Sequence, residues 1–101
     1  MSEKYELTDG ELMNRHHPRT FEIPNLKDRL DAKIGSHVKL TFTFADSKDG
    51  ERMWVKIVSA VKTQTETRYT GTLANDPVTT GLVKHGDIIE FDHTNIISLE
   101  N

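Results

Sequence analysis

The sequence predicts a mainly β domain, a small SH3-like or related five-stranded barrel with one short helix near residues 26–33. Apolar and polar residues alternate over residues 37–44, and further alternating runs occur within residues 51–61, 68–73 and 88–91. One turn sequence occurs twice, because residues 33–40 and 84–91 both place a glycine turn before an alternating strand. Short strands joined by tight turns are typical of small barrels, whose closure removes exposed sheet edges.

Length and composition indicate a single small domain. The chain has 101 residues, of which 35% are hydrophobic and 29% charged, and this excludes a disordered chain. We divide it into a polar N-terminal arm, residues 1–20, and one barrel domain, residues 21–101. The arm shows no sustained helical or alternating pattern, although residues 8–13 offer a capping residue for a single helical turn.

Charge and residue content exclude several kinds of partner. No apolar run approaches the ~20 residues that span a bilayer, and the acidic start of the chain is unlike a signal peptide, so we expect a cytoplasmic protein without membrane association. Cysteine is absent, which excludes disulfides and thiolate metal sites. The net charge is −3 and the cations are interleaved with acids, so we expect no nucleic-acid partner.

The first elements of the barrel domain are short. Residues 21–23 alternate as a short edge strand or extended segment, which Pro24 ends. Asn25 then caps a helix over residues 26–34, and Gly35 ends it. The apolar residues of this helix share one face, which we expect to cover an open end of the sheet: Leu26, Leu30 and Ile34.

The two longest strands predict the core. After residues 37–44, a polar loop tipped by Asp49-Gly50 leads into residues 51–61. Trp54, Lys56 and Val58 point away from the core in this second strand. The side chains that we expect to point inward are Val38, Leu40, Phe42, Phe44, Met53, Val55 and Ile57.

The remaining strands follow after short connections. Residues 68–73 form a strand in which Gly71 marks a bulge or a close neighbour. Residues 74–77 form a turn, since asparagine and aspartate bond local backbone groups and proline ends regular structure. The last full strand covers residues 88–91, and a turn over residues 92–95 leads to a short return.

Three motifs occur in order along residues 33–97. They are Glu-Arg-Met-Trp-Val at 51–55, Leu-Ala-Asn-Asp-Pro at 73–77, and Gly86-Asp87 leading to Glu90-Phe91. In this order they resemble the YegJ-like family, small bacterial domains of unknown function. Similar domains occur among immunity-type proteins of bacterial toxin systems and in phage-related chromosome regions. The resemblance therefore implies a non-catalytic interaction role, and it supplies no catalytic residues.

Trp54, the sole tryptophan, is the first candidate for a binding residue. If the opposite face of its strand is the core, the indole faces outward, where a large aromatic side chain often anchors a partner. The alternative is that Trp54 packs under residues 20–34, and the frequency of covered strands in small barrels favours it.

The loop residues Asn75, Asp76 and Pro77 are the second candidates. A carboxylate and an amide on a rigid sheet can bind a ligand. The alternative, which the strong turn preference of these residues favours, is a turn that satisfies its own backbone. A third candidate surface is the short basic run from Arg15 to Arg19, which could grip an acidic partner or a phosphate or could form a mobile arm.

Catalytic and metal sites are not indicated. The five histidines lack the helical or short-turn spacing of a ligand set, so we treat them as solvated polar residues: His16, His17, His37, His85 and His93. Alternation scatters His85, Asp87, Asp92 and His93 to both faces of a strand, and no glycine-rich phosphate loop precedes a helix.

These observations favour a non-catalytic module that binds a protein partner through Trp54, Lys56 and the loop of residues 75–77. A hypothesis of a different class is a small-molecule, nucleotide or anion sensor, in which the barrel mouth beside His85, Asp87 and Arg19 encloses an anion. We expect no cofactor and no enzymatic activity, and nothing in the sequence indicates an oligomeric state.

Overall fold

The computed structural model describes residues 4–47 and 50–100, which form a curled antiparallel sheet with three short helices. The strands are β1 (Tyr5–Leu7), β2 (His37–Phe44), β3 (Gly50–Lys62), β4 (Thr67–Leu73), β5 (Ile88–Asp92) and β6 (Ser98–Glu100). The helices are α1 (Gly10–His16), α2 (Leu26–Leu30) and a 3-10 helix (His93–Asn95). The predicted mainly β class and the short helix after Asn25 are confirmed.

The sheet is a half-barrel with β1 and β5 at its two ends. The strands are paired in the order β1-β2-β3-β4-β5, and β6 pairs with the part of β2 that β1 does not contact. No ladder joins β1 to β5 within the described residues. We expected five strands in a closed barrel. The additional strand is β1, whose three residues are too few to show alternation, and the space between β1 and β5 stays open.

The two long strands supply most of the core, as their alternation predicts. The seven side chains expected to point inward from residues 37–57 are all 3% exposed or less. The Tyr5 ring of β1 packs edge-on against Phe42, with 5.2 Å between ring centres. Burying one such side chain contributes about 1.5–3 kcal/mol, so this shared face is the main source of stability in a chain without disulfides.

Gly71 lies opposite a bulge in β3, as its position inside a strand predicts. The register shifts between Ile57 and Ser59, and Gly71 pairs with Ile57. A Cβ atom at Gly71 would lie 2.4 Å from Val55 Cγ1 and 2.6 Å from the Lys56 carbonyl oxygen, so only glycine fits. The bulge increases the local twist, which helps the sheet to curl.

The repeated glycine turns have the same structure. Gly35 and Gly86 adopt positive φ angles of 94° and 92°. In each turn the residue after glycine donates a backbone hydrogen bond to the carbonyl two residues before the glycine, at 3.0 Å, which is the geometry of a type II turn. Gly35 also donates to the Ile57 carbonyl and Gly86 to the Leu73 carbonyl, both at 2.8 Å. Each turn is therefore fixed to a neighbouring strand.

The described residues among the first 20 have more regular structure than we expected of a polar arm. β1 pairs with β2 and places Tyr5 and Leu7 against the core. α1 follows Asp9, whose carboxylate accepts a hydrogen bond from the Leu12 N–H at 3.0 Å, in agreement with the predicted capping residue. Three-residue strands and seven-residue helices are too short for a hydrophobic period to reveal them.

α2 is shorter than predicted and packs differently. The Asn25 side chain accepts a hydrogen bond from the Asp28 N–H at 2.9 Å, which confirms the cap. The helix ends at Leu30, while Leu26 is 51% and Ile34 67% exposed. The expectation that an apolar stripe covers the sheet is therefore wrong. The helix lasts little more than one turn, and its buried side chain is Arg29.

Arg29 joins both α-helices to the 3-10 helix. Its Nε donates to the Pro24 carbonyl at 2.8 Å, and one terminal nitrogen donates to Glu11 Oε2 at 2.7 Å and to the His93 carbonyl at 3.1 Å. The Tyr69 hydroxyl of β4 donates to the Arg29 carbonyl at 2.7 Å. Burial raises the pKa of Tyr69 above its usual value. Hydrogen bonds of the buried Arg29 guanidinium therefore attach α2 to the rest of the fold, where we expected apolar packing to do so.

The loop between β4 and β5 is fixed to the β2–β3 hairpin. The Glu51 carboxylate accepts hydrogen bonds from the Val78 and Thr79 N–H groups and from the Thr79 hydroxyl. Partial burial opposes ionisation of Glu51, but these donors lower its pKa below the usual value. Asp49, the first residue of the predicted Asp-Gly turn, lies outside the described residues.

Candidate functional site

The outward faces of β2 and β3 place a tryptophan among basic side chains. Arg52, Trp54 and Lys56 alternate with buried residues along β3, and the cross-strand register puts Lys39 of β2 opposite Trp54. We call these four residues the basic strip. Arg52 and Lys56 are exposed, so their charges face solvent on the same side of the sheet. The strip therefore concentrates positive charge in a chain whose net charge is −3.

Trp54 is half-buried and its ring faces a cation. The Lys39 ammonium lies 4.7 Å from the centre of the indole ring, which is the geometry of a cation–π contact. Residues 20–34 are the segment that the alternative interpretation places over Trp54. In this segment the Phe21 ring lies 5.6 Å from the guanidinium of Arg52. Trp54 thus faces away from the core and is half-buried.

The loop of residues 75–77 lies beside the basic strip. The Asn75 side-chain oxygen accepts a hydrogen bond from the Trp54 N–H at 2.5 Å, and the Ala74 N–H donates to the Trp54 carbonyl at 2.9 Å. Asn75 thus replaces a backbone carbonyl at the end of the β3–β4 ladder, rather than bonding its own turn as we expected. Asp76 is exposed and Pro77 half-buried. The structure brings the loop to Trp54, with the Asn75 oxygen already engaged.

Arg15 and Arg19 are both exposed and lie four residues apart in the chain. Arg15 is in the last turn of α1, and Arg19 follows in a turn that ends at Phe21. The Phe21 ring contacts Arg52, so the segment that carries Arg19 reaches one end of the basic strip. The predicted contact surface at residues 15–19 therefore adjoins the basic strip.

The histidines are dispersed. The His16 and His17 rings are 6.4 Å apart at the end of α1, and His85 is exposed. His93 is buried, and its Nδ1 accepts a hydrogen bond from the Thr67 N–H at 3.3 Å. Within residues 4–47 and 50–100, no three or more histidine, aspartate or glutamate side chains are grouped as metal ligands.

A cleft of about 720 Å³ opens between β1 and β5. No sequence pattern indicated this cleft, because β1 was not predicted. Tyr5 lies on one side of the cleft and Glu90 on the other. Burial raises the pKa of the Tyr5 phenol, and the Glu90 and Asp87 carboxylates raise it further, so the two end strands are close enough to interact through charge.

The residues that we expected to enclose an anion do not line this cleft. Its lining includes none of His85, Asp87 and Arg19. The Asp87 carboxylate accepts a hydrogen bond from the Lys84 N–H at 3.0 Å and so stabilises its own turn. The cleft is lined by Glu6, Glu90 and Asp92 against a single cation, Arg68, which gives it an acidic rather than an anion-binding character.

Two residues of the basic strip, Lys39 and Arg52, were absent from the sequence-based candidates. Alternation already placed both on the outward faces of their strands. The missing information was the β2–β3 register, which pairs Lys39 with Trp54.

Neither α-helix of the described residues has the length or the apolar run that a membrane-spanning helix requires. Comparisons with protein-family models, with curated proteins and with solved structures find no match to this chain.

Proposed function

We propose that the protein is a non-catalytic binding module of SH3-like type, and that the basic strip captures an acidic surface of a protein partner. One observation carries the proposal: the half-buried Trp54 ring lies under the Lys39 ammonium and between Arg52 and Lys56 on the outward sheet face. This role agrees with the interaction function that the resemblance to YegJ-like domains implies.

The chemistry of the strip suits a protein interface. Tryptophan and arginine are enriched among the residues that carry most binding energy, because they combine large contact area with hydrogen bonding. Lysines at the rim accelerate association with an acidic partner. The Asn75 hydrogen bond fixes the backbone at Trp54, so the anchor residue is held in place before binding.

Two other ligand classes are less suited to the strip. Small anions and nucleotides bind concave sites, whereas these cations lie on an outward sheet face. Single-stranded nucleic acid also binds surfaces that combine aromatic and cationic side chains. However, such surfaces stack successive bases on several aromatic rings, and the strip has one, that of Trp54.

The test is a nuclear magnetic resonance titration of the isotope-labelled chain with four probes. These are a nine-residue peptide that alternates valine and glutamate, its lysine counterpart, a ten-nucleotide oligothymidylate, and ATP. We expect the glutamate peptide to shift the Trp54 indole resonance and the Lys39 and Lys56 amides, with weaker binding at high salt.

A matched pair of variants separates the strip from general charge. Lys56→Glu should weaken binding of the glutamate peptide at least tenfold, whereas Lys84→Glu, an equal charge change at an exposed site outside the strip, should weaken it less than twofold. No shift of the Trp54 indole with millimolar glutamate peptide contradicts the proposal. A stronger shift with oligothymidylate or ATP than with the peptide assigns the strip to nucleic acid or to small anions instead.

A further inference from the structure

Among residues 4–47 and 50–100, β1 pairs with β2 alone, so its edge that borders the cleft has no strand partner there. The Ala45 N–H donates to the Lys4 carbonyl and the Thr8 N–H donates to the Thr41 carbonyl. Hydrogen-bonded pairs alternate in an antiparallel ladder, so the backbone groups of Tyr5 and Leu7 point away from β2. One side of the cleft therefore offers N–H and C=O groups to an added strand.

The edge of β5 offers the same groups from the other side. The Leu73 N–H donates to the Asp87 carbonyl at 2.9 Å, which fixes the alternation along the β4–β5 ladder. The backbone groups of Ile88 and Glu90 consequently point away from β4. Exposed sheet edges with unpaired groups are sites of strand addition.

The two edges run in the same direction. β1 is antiparallel to β2, β5 is antiparallel to β4, and both β2 and β4 are antiparallel to β3. β1 and β5 are therefore parallel to each other. A strand inserted antiparallel to both would pair with each and would close the half-barrel. One end of the cleft is bridged, because the Asn95 side chain donates to the Thr8 carbonyl at 3.1 Å. An added strand would enter from the other end, beside Tyr5 and Ile88.

Side chains beside the edges indicate the chemistry of the occupant. Tyr5 and Leu7 of β1 and Phe91 of β5 line the cleft from the core side, so apolar side chains on the inner face of an added strand can pack against them. The charged lining has three carboxylates, from Glu6, Glu90 and Asp92, against the single guanidinium of Arg68. A basic side chain at alternate positions of the added strand complements this charge.

We propose that the β1–β5 cleft accepts an extended segment of a partner protein, with alternating apolar and basic side chains, as an added antiparallel strand. This site is separate from the basic strip, and the opposite charge of the two surfaces gives them opposite preferences. We expect the glutamate peptide to bind the basic strip and the lysine peptide to bind the cleft. The proposed function of the strip and the proposed strand addition in the cleft can therefore fail independently.

The test is a titration of the labelled chain with the lysine peptide, followed by hydrogen exchange in its presence. We expect shifts at the amides of Tyr5, Leu7, Ile88 and Glu90, and at least a fivefold slowing of exchange at these four. We also expect the glutamate peptide to bind the cleft at least tenfold more weakly. No shift of the four amides at millimolar lysine peptide, or equal binding of both peptides there, overturns the proposal.

Two variants with a matched control sharpen the result. Ile88→Pro removes an N–H that points away from β4, so the chain should stay folded while the lysine peptide loses at least tenfold in affinity. Glu90→Lys should weaken the lysine peptide by a similar factor, and Glu100→Lys, the same charge change on β6, should leave it within twofold. If the four amides instead become protected with rising protein concentration and no peptide, a second copy of the chain occupies the cleft and the partner proposal is wrong.

Discussion

The ammonium of Lys39 lies 4.7 Å from the centre of the Trp54 ring, across the ladder that joins β2 to β3. The contact positions the indole on the outward face and couples a charge to the only tryptophan fluorophore. We expect Lys39→Met, which keeps the aliphatic stem, to lower the free energy of unfolding by about 0.5 kcal/mol and to change the fluorescence emission of Trp54. Urea titration followed by fluorescence measures both. Lys56→Met is the control, and an equal effect from it contradicts the cation–π assignment.

The close packing at Gly71 predicts a large effect from one added methyl group. Gly71→Ala would place a Cβ atom 2.6 Å from the Lys56 carbonyl oxygen, and backbone cannot move aside as a flexible side chain can. We expect a loss of about 3 kcal/mol, which chemical denaturation measures. Gly81→Ala is the matched control, since nothing lies within 4 Å of the added atom, and it should change stability by less than about 0.5 kcal/mol. Similar results for both variants would show that the β3 bulge is more adaptable than described.

The buried guanidinium of Arg29 should be essential for attaching the helices. Its side chain is 6% exposed and donates to Glu11, Pro24 and His93, so Arg29→Met leaves these acceptors without a donor. We expect a loss of about 3 kcal/mol in unfolding free energy and faster amide exchange in α1 and α2. Arg68→Met is the control. Its ion pair spans 3.9 Å between side chains that are 75% and 49% exposed, so the loss should stay below about 0.5 kcal/mol.

Two tyrosines should make stability fall at alkaline pH. Burial raises the pKa of Tyr69, and burial together with Glu90 and Asp87 raises the pKa of Tyr5, both from a usual value of 10.0. The unfolded chain then loses these protons at lower pH than the folded chain. The free energy of unfolding is therefore unaffected by them below about pH 9 and falls as pH rises through the folded pKa values.

Unfolding measured at several pH values tests this assignment. Tyr69→Phe and Tyr5→Phe should each reduce the alkaline slope, and Glu90→Gln should lower the titration midpoint of Tyr5 in ultraviolet absorbance. Glu100→Gln, which removes a carboxylate from β6, should leave that midpoint unchanged. If the free energy of unfolding falls as steeply with alkaline pH in both phenylalanine variants as in the original chain, groups other than Tyr5 and Tyr69 cause the loss of stability.

Sequence reasoning predicted the parts of the fold that depend on alternation over many residues. The inward faces of β2 and β3 are buried as expected, and the glycines at 35, 71 and 86 occupy the turns and the close approach that their positions indicate. The Asn25 cap and the capping run before α1 also agree. Each of these features is local, so a few neighbouring residues contain the information.

The features that sequence reasoning missed depend on contacts between distant parts of the chain. β1 has three residues and is a strand only because β2 pairs with it. The Arg29 network joins residues from Glu11 to His93, and no local pattern indicates that an arginine replaces an apolar stripe. Trp54 and Asn75 were both candidates, but their hydrogen bond and the position of Lys39 follow from register alone. The β1–β5 cleft could not be predicted without β1.

Reversing the charge of the basic strip tests whether this strip is the binding surface. The variant Lys39→Glu, Arg52→Glu and Lys56→Glu keeps Trp54 and changes only outward side chains. We predict that this variant no longer binds the glutamate peptide at the Trp54 indole resonance and binds the lysine peptide there instead, while the original chain shows the reverse preference. If the variant and the original chain bind the glutamate peptide with the same affinity at that resonance, the basic strip is not the binding surface.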